Sequence, residues 1–197
     1  MSRGKLIVIS APSGCGKTTI AKAIMQKYPT MLFSVSATTR TMRSGEVEGK
    51  DYFFLSKEEF QKRITAEDLV EWEAYPNETH GNYYGTLTSE VDRALNHGKV
   101  MLFDVDVKGA LSIKKKYGSD AVLIFITAPS FEALKNRLLN RKTEDETTVQ
   151  RRLDRMPMEM EKGKQFDYQV VNDDLPKAIH EVDDIIKKHT ELETIQL

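Results

Sequence analysis

Apolar residues in this chain gather into short unbroken runs at 6–9, 100–103 and 121–126, rich in Ile, Val, Leu and Phe. An unbroken run of this length reads as a strand covered on both faces, because a half-exposed strand would alternate polar and apolar residues. Strands are therefore predicted at 6–10, 100–105 and 121–127, with a short fourth at 169–171. Each of the first three is followed by a helical segment: 18–28, stopped near Pro29; 107–117; and 130–140, starting after Pro129. A last helix over 176–190 carries Pro176 in its first turn, where a missing N–H costs nothing. Strand and helix in alternation predict an α/β protein of three layers, a parallel central sheet with helices on both faces.

Residues 31–86 break that rhythm. Strand-like runs at 32–37, 51–55, 69–75 and 82–84 surround one helix at 57–64, whose start is marked by the capping pair Ser56 and Glu59. This predicts a small mixed α/β lobe inserted into the main sheet. Residues 141–163 are polar and charged without a core-strand signal, and read as a mobile helical cap with basic residues facing inward. The expected division is a core of 1–31, 87–136 and 164–197, a lobe of 32–86 and a lid of 137–163, all parts of one domain.

With 197 residues, 40% of them hydrophobic, the chain can bury a core without metals or disulfides. A formal net charge of −1 supplies no basic field, so neither nucleic acid nor a membrane is expected as a partner. The single cysteine, Cys15, excludes an internal disulfide and a cysteine metal cluster. It also fits a reducing compartment, and the first apolar run is too short for a signal-peptide core or a membrane span. A cytoplasmic protein is expected. His80, His97, His180 and His189 have no spacing that suggests metal binding or acid–base work.

Ala11, Pro12, Ser13, Gly14, Cys15, Gly16, Lys17 and Thr18 follow the first strand and open the first helix. That is the setting a phosphate-binding loop needs. Glycines let the backbone approach phosphate oxygens, and the helix N-terminus presents N–H groups to an anion. Lys17 adds a cation near the β- and γ-phosphates, and Thr18 offers a hydroxyl to Mg²⁺. Ala11 stands where the motif has its first glycine. Together with Thr19 these residues are the expected ATP contacts, and the fold expected is that of a P-loop NTPase. Asp104 ends the apolar strand 100–104 and looks like a Walker B carboxylate, ordering Mg²⁺ through water.

A nucleoside monophosphate is a dianion, and Arg40 and Arg43 offer planar forks that match phosphate oxygens, with Tyr52 and Tyr84 as hydroxyl donors. The stretch from Ser34 through Ser36, Arg40, Arg43, Glu46 and Tyr52, then Tyr84 with Thr86, Asp104 with Asp106, Arg137, Arg141, Arg152 and Asn172 closely resembles the guanylate kinase family. The resemblance runs over essentially the whole chain. It implies transfer of the γ-phosphoryl group of MgATP to GMP, and to dGMP, giving GDP and ADP, in purine nucleotide metabolism and GMP recycling. It implies that Arg40, Arg43, Tyr52 and Tyr84 hold the GMP phosphate, with Glu46 beside the arginines. Ser36 and Thr86 would face guanine O6, and Glu71 and Asp106 the ring N–H and amino group. Arg137, Arg141 and Arg152 would cover the transferring group with Lys17, and Asn172 would lie near the adenine. Mg²⁺ is the implied cofactor; ATP and GMP or dGMP are the implied partners. Nothing in the pattern bears on oligomeric state.

Two departures stand out. Residues 75–80 are longer than the family's usual spacing, and Lys142 follows Arg141 where the family usually has glycine. Two other readings remain: a guanylate-kinase-like module that binds phosphopeptides without catalysis, and a P-loop kinase for another small phosphorylated acceptor. The intact Gly14, Gly16, Lys17 and Thr18 oppose the first, and the Glu71, Asp106, Ser36 and Thr86 set opposes the second.

Overall fold

The computed structural model describes residues 3–75, 81–139 and 146–193. In chain order the elements are β1 (Lys5–Ser10), α1 (Lys17–Lys27), β2 (Leu32–Phe33), β3 (Ala37–Thr38), β4 (Phe53–Phe54), α2 (Lys57–Thr65), β5 (Leu69–Tyr75), β6 (Asn82–Leu87) and α3 (Thr88–Asn96). There follow β7 (Val100–Asp104), α4 (Val107–Tyr117), β8 (Ala121–Thr127), α5 (Phe131–Leu139), α6 (Glu146–Gly163), β9 (Tyr168–Val171) and α7 (Leu175–His189).

The unbroken apolar runs become the centre of a five-stranded parallel sheet in the order β2-β7-β1-β8-β9. All seven residues of β8 are buried, which requires cover on both faces. Alternate side chains of β1 supply the two sides. Ile7 and Ile9 pack with Ile20 and Ile24 of α1 and with Val182 and Ile186 of α7. Leu6 and Val8 pack with Val91 and Leu95 of α3 and with Ala110 and Ile113 of α4. The three expected layers are present.

A buried carboxylate ties two of the helices. Asp183 of α7 accepts hydrogen bonds from Tyr28 Oη at 2.6 Å and Lys27 Nζ at 2.7 Å at the end of α1, and from Lys187 Nζ at 2.7 Å. Burial alone would raise its carboxyl. The bonds from Lys187, Lys27 and Tyr28 outweigh that and hold it below its ordinary value.

The inserted segment builds a second, mixed sheet in the order β4-β3-β6-β5. Phe60 of α2 is fully buried against it, clustered with Ala37 of β3, Leu69 of β5 and Leu87 of β6. The Ser56 hydroxyl accepts from Glu59 N at 3.0 Å, the helix start that was expected.

The segment 32–37 is not one strand. Leu32–Phe33 forms the edge of the parallel sheet beside β7, whereas Ala37–Thr38 belongs to the smaller sheet, so the chain crosses between sheets over 34–36. The strand expected at 51–55 shortens to β4, and the one at 82–84 runs on to Leu87. Helix α3 was not anticipated. It buries Val91, Ala94 and Leu95, but Leu87 at its N-cap makes no side-chain bond to mark the start. No described helix is long and apolar enough to cross a membrane.

Candidate active site

β1 ends at Ser10 and α1 begins at Lys17, so residues 11–16 turn sharply at the carboxyl ends of the parallel strands, where ligands of such sheets collect. Gly14 and Gly16 take φ values of +93° and +86°, a left-handed backbone that side-chain-bearing residues rarely adopt. A Cβ on Gly16 would also lie 2.5 Å from Asn172 Nδ2. Asn172 is buried and braces the turn from beneath: its Nδ2 donates to the Cys15 carbonyl at 2.8 Å, and its carbonyl accepts from Arg137 Nη1 at 2.8 Å. The Cys15 side chain points into the core, and burial pushes its thiol up to about 12, so it stays protonated and unreactive.

Lys17 Nζ lies 2.5 Å from Asp104 Oδ1 and donates to the Val105 carbonyl at 2.9 Å. The Thr18 hydroxyl donates to Asp104 Oδ2 at 3.4 Å. A hydroxyl and a carboxylate side by side at a phosphate loop are the hard oxygen donors that Mg²⁺ takes, so this pair fits the metal.

Across the cleft, β5 and β6 pair with Glu71 opposite Thr86, and the Thr86 hydroxyl donates to Glu71 Oε1 at 2.6 Å. Burial pushes the Glu71 carboxyl up from 4.5 to about 6; the Thr86 bond opposes this, and the charges of Asp106 and Glu73 add to it. Asp106 caps α4, accepting from Gly109 N through Oδ1 at 2.8 Å. Lys17, Ser36, Glu71, Tyr84, Asp104 and Asp106 all line one cleft of about 360 Å³.

Arg40 is held in a fork on Glu46, with Nη2 at 2.7 Å from Oε1 and Nη1 at 3.0 Å from Oε2. Its guanidinium lies 5.2 Å from the centroid of the Tyr52 ring, and the Tyr52 and Tyr84 rings meet edge-on at 6.1 Å. Glu46 also accepts from the Arg43 backbone N–H at 2.7 Å, while the Arg43 residue is exposed. Bonds from Arg40 and the Arg43 N–H keep Glu46 below its ordinary pKa, and Glu46 in turn keeps Arg40 firmly charged.

Helix α6 lies over this cleft. Arg152 Nη1 donates to Ser13 Oγ in the phosphate loop at 2.6 Å. Arg155 Nη2 is 3.5 Å from Glu73 Oε1 and 3.9 Å from Asp106 Oδ2, and burial raises the Glu159 carboxyl. Arg155, Glu73 and Glu159 were not anticipated. The signal lay in their spacing: 152, 155 and 159 fall on one helical face, but charged residues at that spacing usually mark a solvated face. Arg137 is engaged with the Asn172 backbone carbonyl. Arg141, Lys142, His80 and most of the longer loop at 75–80 lie outside the described residues.

The sequence model of the family described as "Guanylate kinase" matches residues 3–189. A guanylate kinase of Salinibacter ruber is 50% identical over 177 residues, 89% of this chain and 92% of that protein. One from Thermotoga maritima is 44% identical over 185 residues, covering 94% of this chain and 87% of its own. Among solved structures, a guanylate kinase from Anaplasma phagocytophilum superposes with a TM-score of 0.70 at 29% identity, covering 96% of this chain and 88% of that one.

Proposed function

This chain belongs to the guanylate kinase family, and on that premise we propose that it is an ATP:GMP phosphotransferase, moving the γ-phosphoryl group of ATP to GMP or dGMP. The observation that carries this reading is a single cleft lined at one end by Lys17 and Asp104 and at the other by Ser36, Glu71, Tyr84 and Asp106. A donor phosphate cradle and an acceptor wall with both hydroxyl and carboxylate groups share one volume.

In this reading an oxygen of the GMP phosphate attacks the γ-phosphorus in line, the bond to the β-phosphate oxygen breaks, and ADP leaves with that oxygen. No covalent enzyme intermediate is needed, and the acceptor phosphate is ionised enough to dispense with a general base. Lys17 exchanges its bond to Asp104 for the phosphates of ATP and stabilises charge on the equatorial oxygens with Arg152 and Arg141. Residues 11–19 seat the ATP phosphates, with backbone N–H groups as donors at every position but Pro12. Thr18 and Asp104 would hold Mg²⁺, which supplies charge neutralisation between the β- and γ-phosphates. Arg40, oriented by Glu46, and Arg43 take the GMP phosphate with Tyr52 and Tyr84. Ser36 and Thr86 donate to guanine O6, and Glu71 and Asp106 accept from the N1–H and the amino group. Asn172 and Arg137 act from beneath, by holding the loop. The lobe of 32–86 and the lid of 137–163 close on the core and keep water from the γ-phosphate.

The test is a coupled assay with MgATP and GMP, dGMP, AMP or UMP. AMP presents an acceptor at N1 and an amino group where GMP has O6, leaving buried polar groups unpaired, a mismatch worth roughly 10⁴–10⁵ in kcat/KM. GMP and dGMP are expected to be phosphorylated and AMP to lag by that order. Equal turnover of AMP and GMP overturns the reading.

A further inference from the structure

Helix α6 touches both ends of the cleft from one face. Arg152 meets Ser13 of the phosphate loop, and Arg155, three residues on, meets the opposite wall at Glu73 of β5 and Asp106 at the start of α4. Three carboxyl groups, Glu71, Glu73 and Asp106, line that wall, and their mutual repulsion contributes to the raised Glu71 carboxyl. A guanidinium arriving there is attracted by several negative charges at once. Asp106 is well disposed to receive it: Oδ1 is occupied by the Gly109 N–H, and Oδ2 is the oxygen turned toward Arg155. The Arg155 and Glu73 side chains are 44% and 33% exposed. Such a pair is weak enough to break in each catalytic cycle.

We propose that Arg155 is a positioning residue that fastens the lid helix to the acceptor wall through Glu73 and Asp106, so that Arg152 comes over the phosphate loop in step with the base pocket. Its kinetic consequence rests on the GMP-kinase reading above; the mechanical contact does not. Because Glu73 stands two residues from Glu71 on the same strand face, a lid held by Glu73 also holds the strand that presents Glu71. Loss of the contact is therefore felt in acceptor affinity more than in ATP affinity.

Two measurements on the full-length chain test this. Spin labels on cysteines introduced at exposed Gln61 of α2 and Asp154 of α6 report the lobe-to-lid distance without any nucleotide, and buried Cys15 does not compete for label. Arg155→Met keeps the aliphatic bulk and removes the charge; Arg155→Lys keeps the charge. The expected result is a longer, broader distance distribution in Arg155→Met, with Arg155→Lys between it and the parent. KM for GMP should rise by about twofold to fivefold in Arg155→Met, the range of an exposed ion pair, with KM for ATP and the melting temperature unchanged. Glu73→Gln combined with Arg155→Met should be no worse than the worse single variant. Identical distance distributions in parent and Arg155→Met, equal rises in KM for both substrates, or equal behaviour of the Met and Lys variants would each overturn the proposal. If the parent does not phosphorylate GMP but the distances respond as described, the functional reading fails and the lid contact stands.

Discussion

Replacing Glu71 by Gln is expected to stabilise the fold at pH 8 while weakening GMP turnover. The Glu71 carboxyl is pushed from 4.5 to about 6 by burial, so keeping it ionised in the folded protein costs about 2 kcal/mol, at 1.36 kcal/mol per pH unit. The folded state binds this proton more tightly than the unfolded chain does. The stability the proton confers is thus fully present below about pH 4.5 and is lost as pH rises through about 6. Glutamine has the shape of the neutral acid and still offers an oxygen to Thr86. The glutamine variant should therefore exceed the parent by at most about 2 kcal/mol at pH 8, or about 4–8 °C in melting temperature for a chain of this size. The gap should close as pH falls from 6 to 4.5. Calorimetry or thermal circular dichroism at pH 4.5, 6 and 8 measures it. In the same variant kcat/KM for GMP should drop by about tenfold to a hundredfold, since a charged hydrogen bond to the base becomes a neutral one. A variant no more stable than the parent at pH 8, or a gap that stays constant with pH, refutes the reasoning.

Lys17→Ala should fold normally and lose at least about 10²–10³ in kcat, the worth of one donor on a developing oxyanion, as measured by single-turnover transfer from ATP. Near-normal turnover would remove the phosphate loop from the chemistry. Arg43→Ala should raise KM for GMP and for any other monophosphate by a similar factor, because it faces phosphate and not base; a change in the GMP-to-AMP ratio would count against that placement.

Much of the fold is legible in the chain because its signals are local. The runs at 6–9, 100–103 and 121–126 are strands buried on both faces, and Gly14, Gly16 and Lys17 at a strand-to-helix turn announce the phosphate cradle. Thr86 and Glu71 come from resemblance, and their pairing follows from the β5–β6 register. What was not legible depends on distance or on geometry without a marker. The segment 32–37 is apolar enough for one strand, yet it divides because two sheets compete for it. Helix α3 follows a strand with no capping side chain to separate them. Arg155 lies in a run of charges whose partners, Glu73 and Asp106, are on other elements, so nothing near it in sequence distinguishes it from a solvated arginine.

The brace beneath the phosphate loop also sets an order in time. Cys15 and the Asn172 amide that holds it are 157 positions apart in the chain, and at synthesis rates of about 5–20 residues per second that separation lasts roughly 8–30 s. The loop residues leave the ribosome first and wait, as an unsupported glycine-rich turn, for a side chain that is made 157 positions later. A nascent chain stalled before Asn172 should therefore carry the whole phosphate-loop sequence and still bind ATP poorly, so that nucleotide can stabilise the protein only once β9 has joined the sheet.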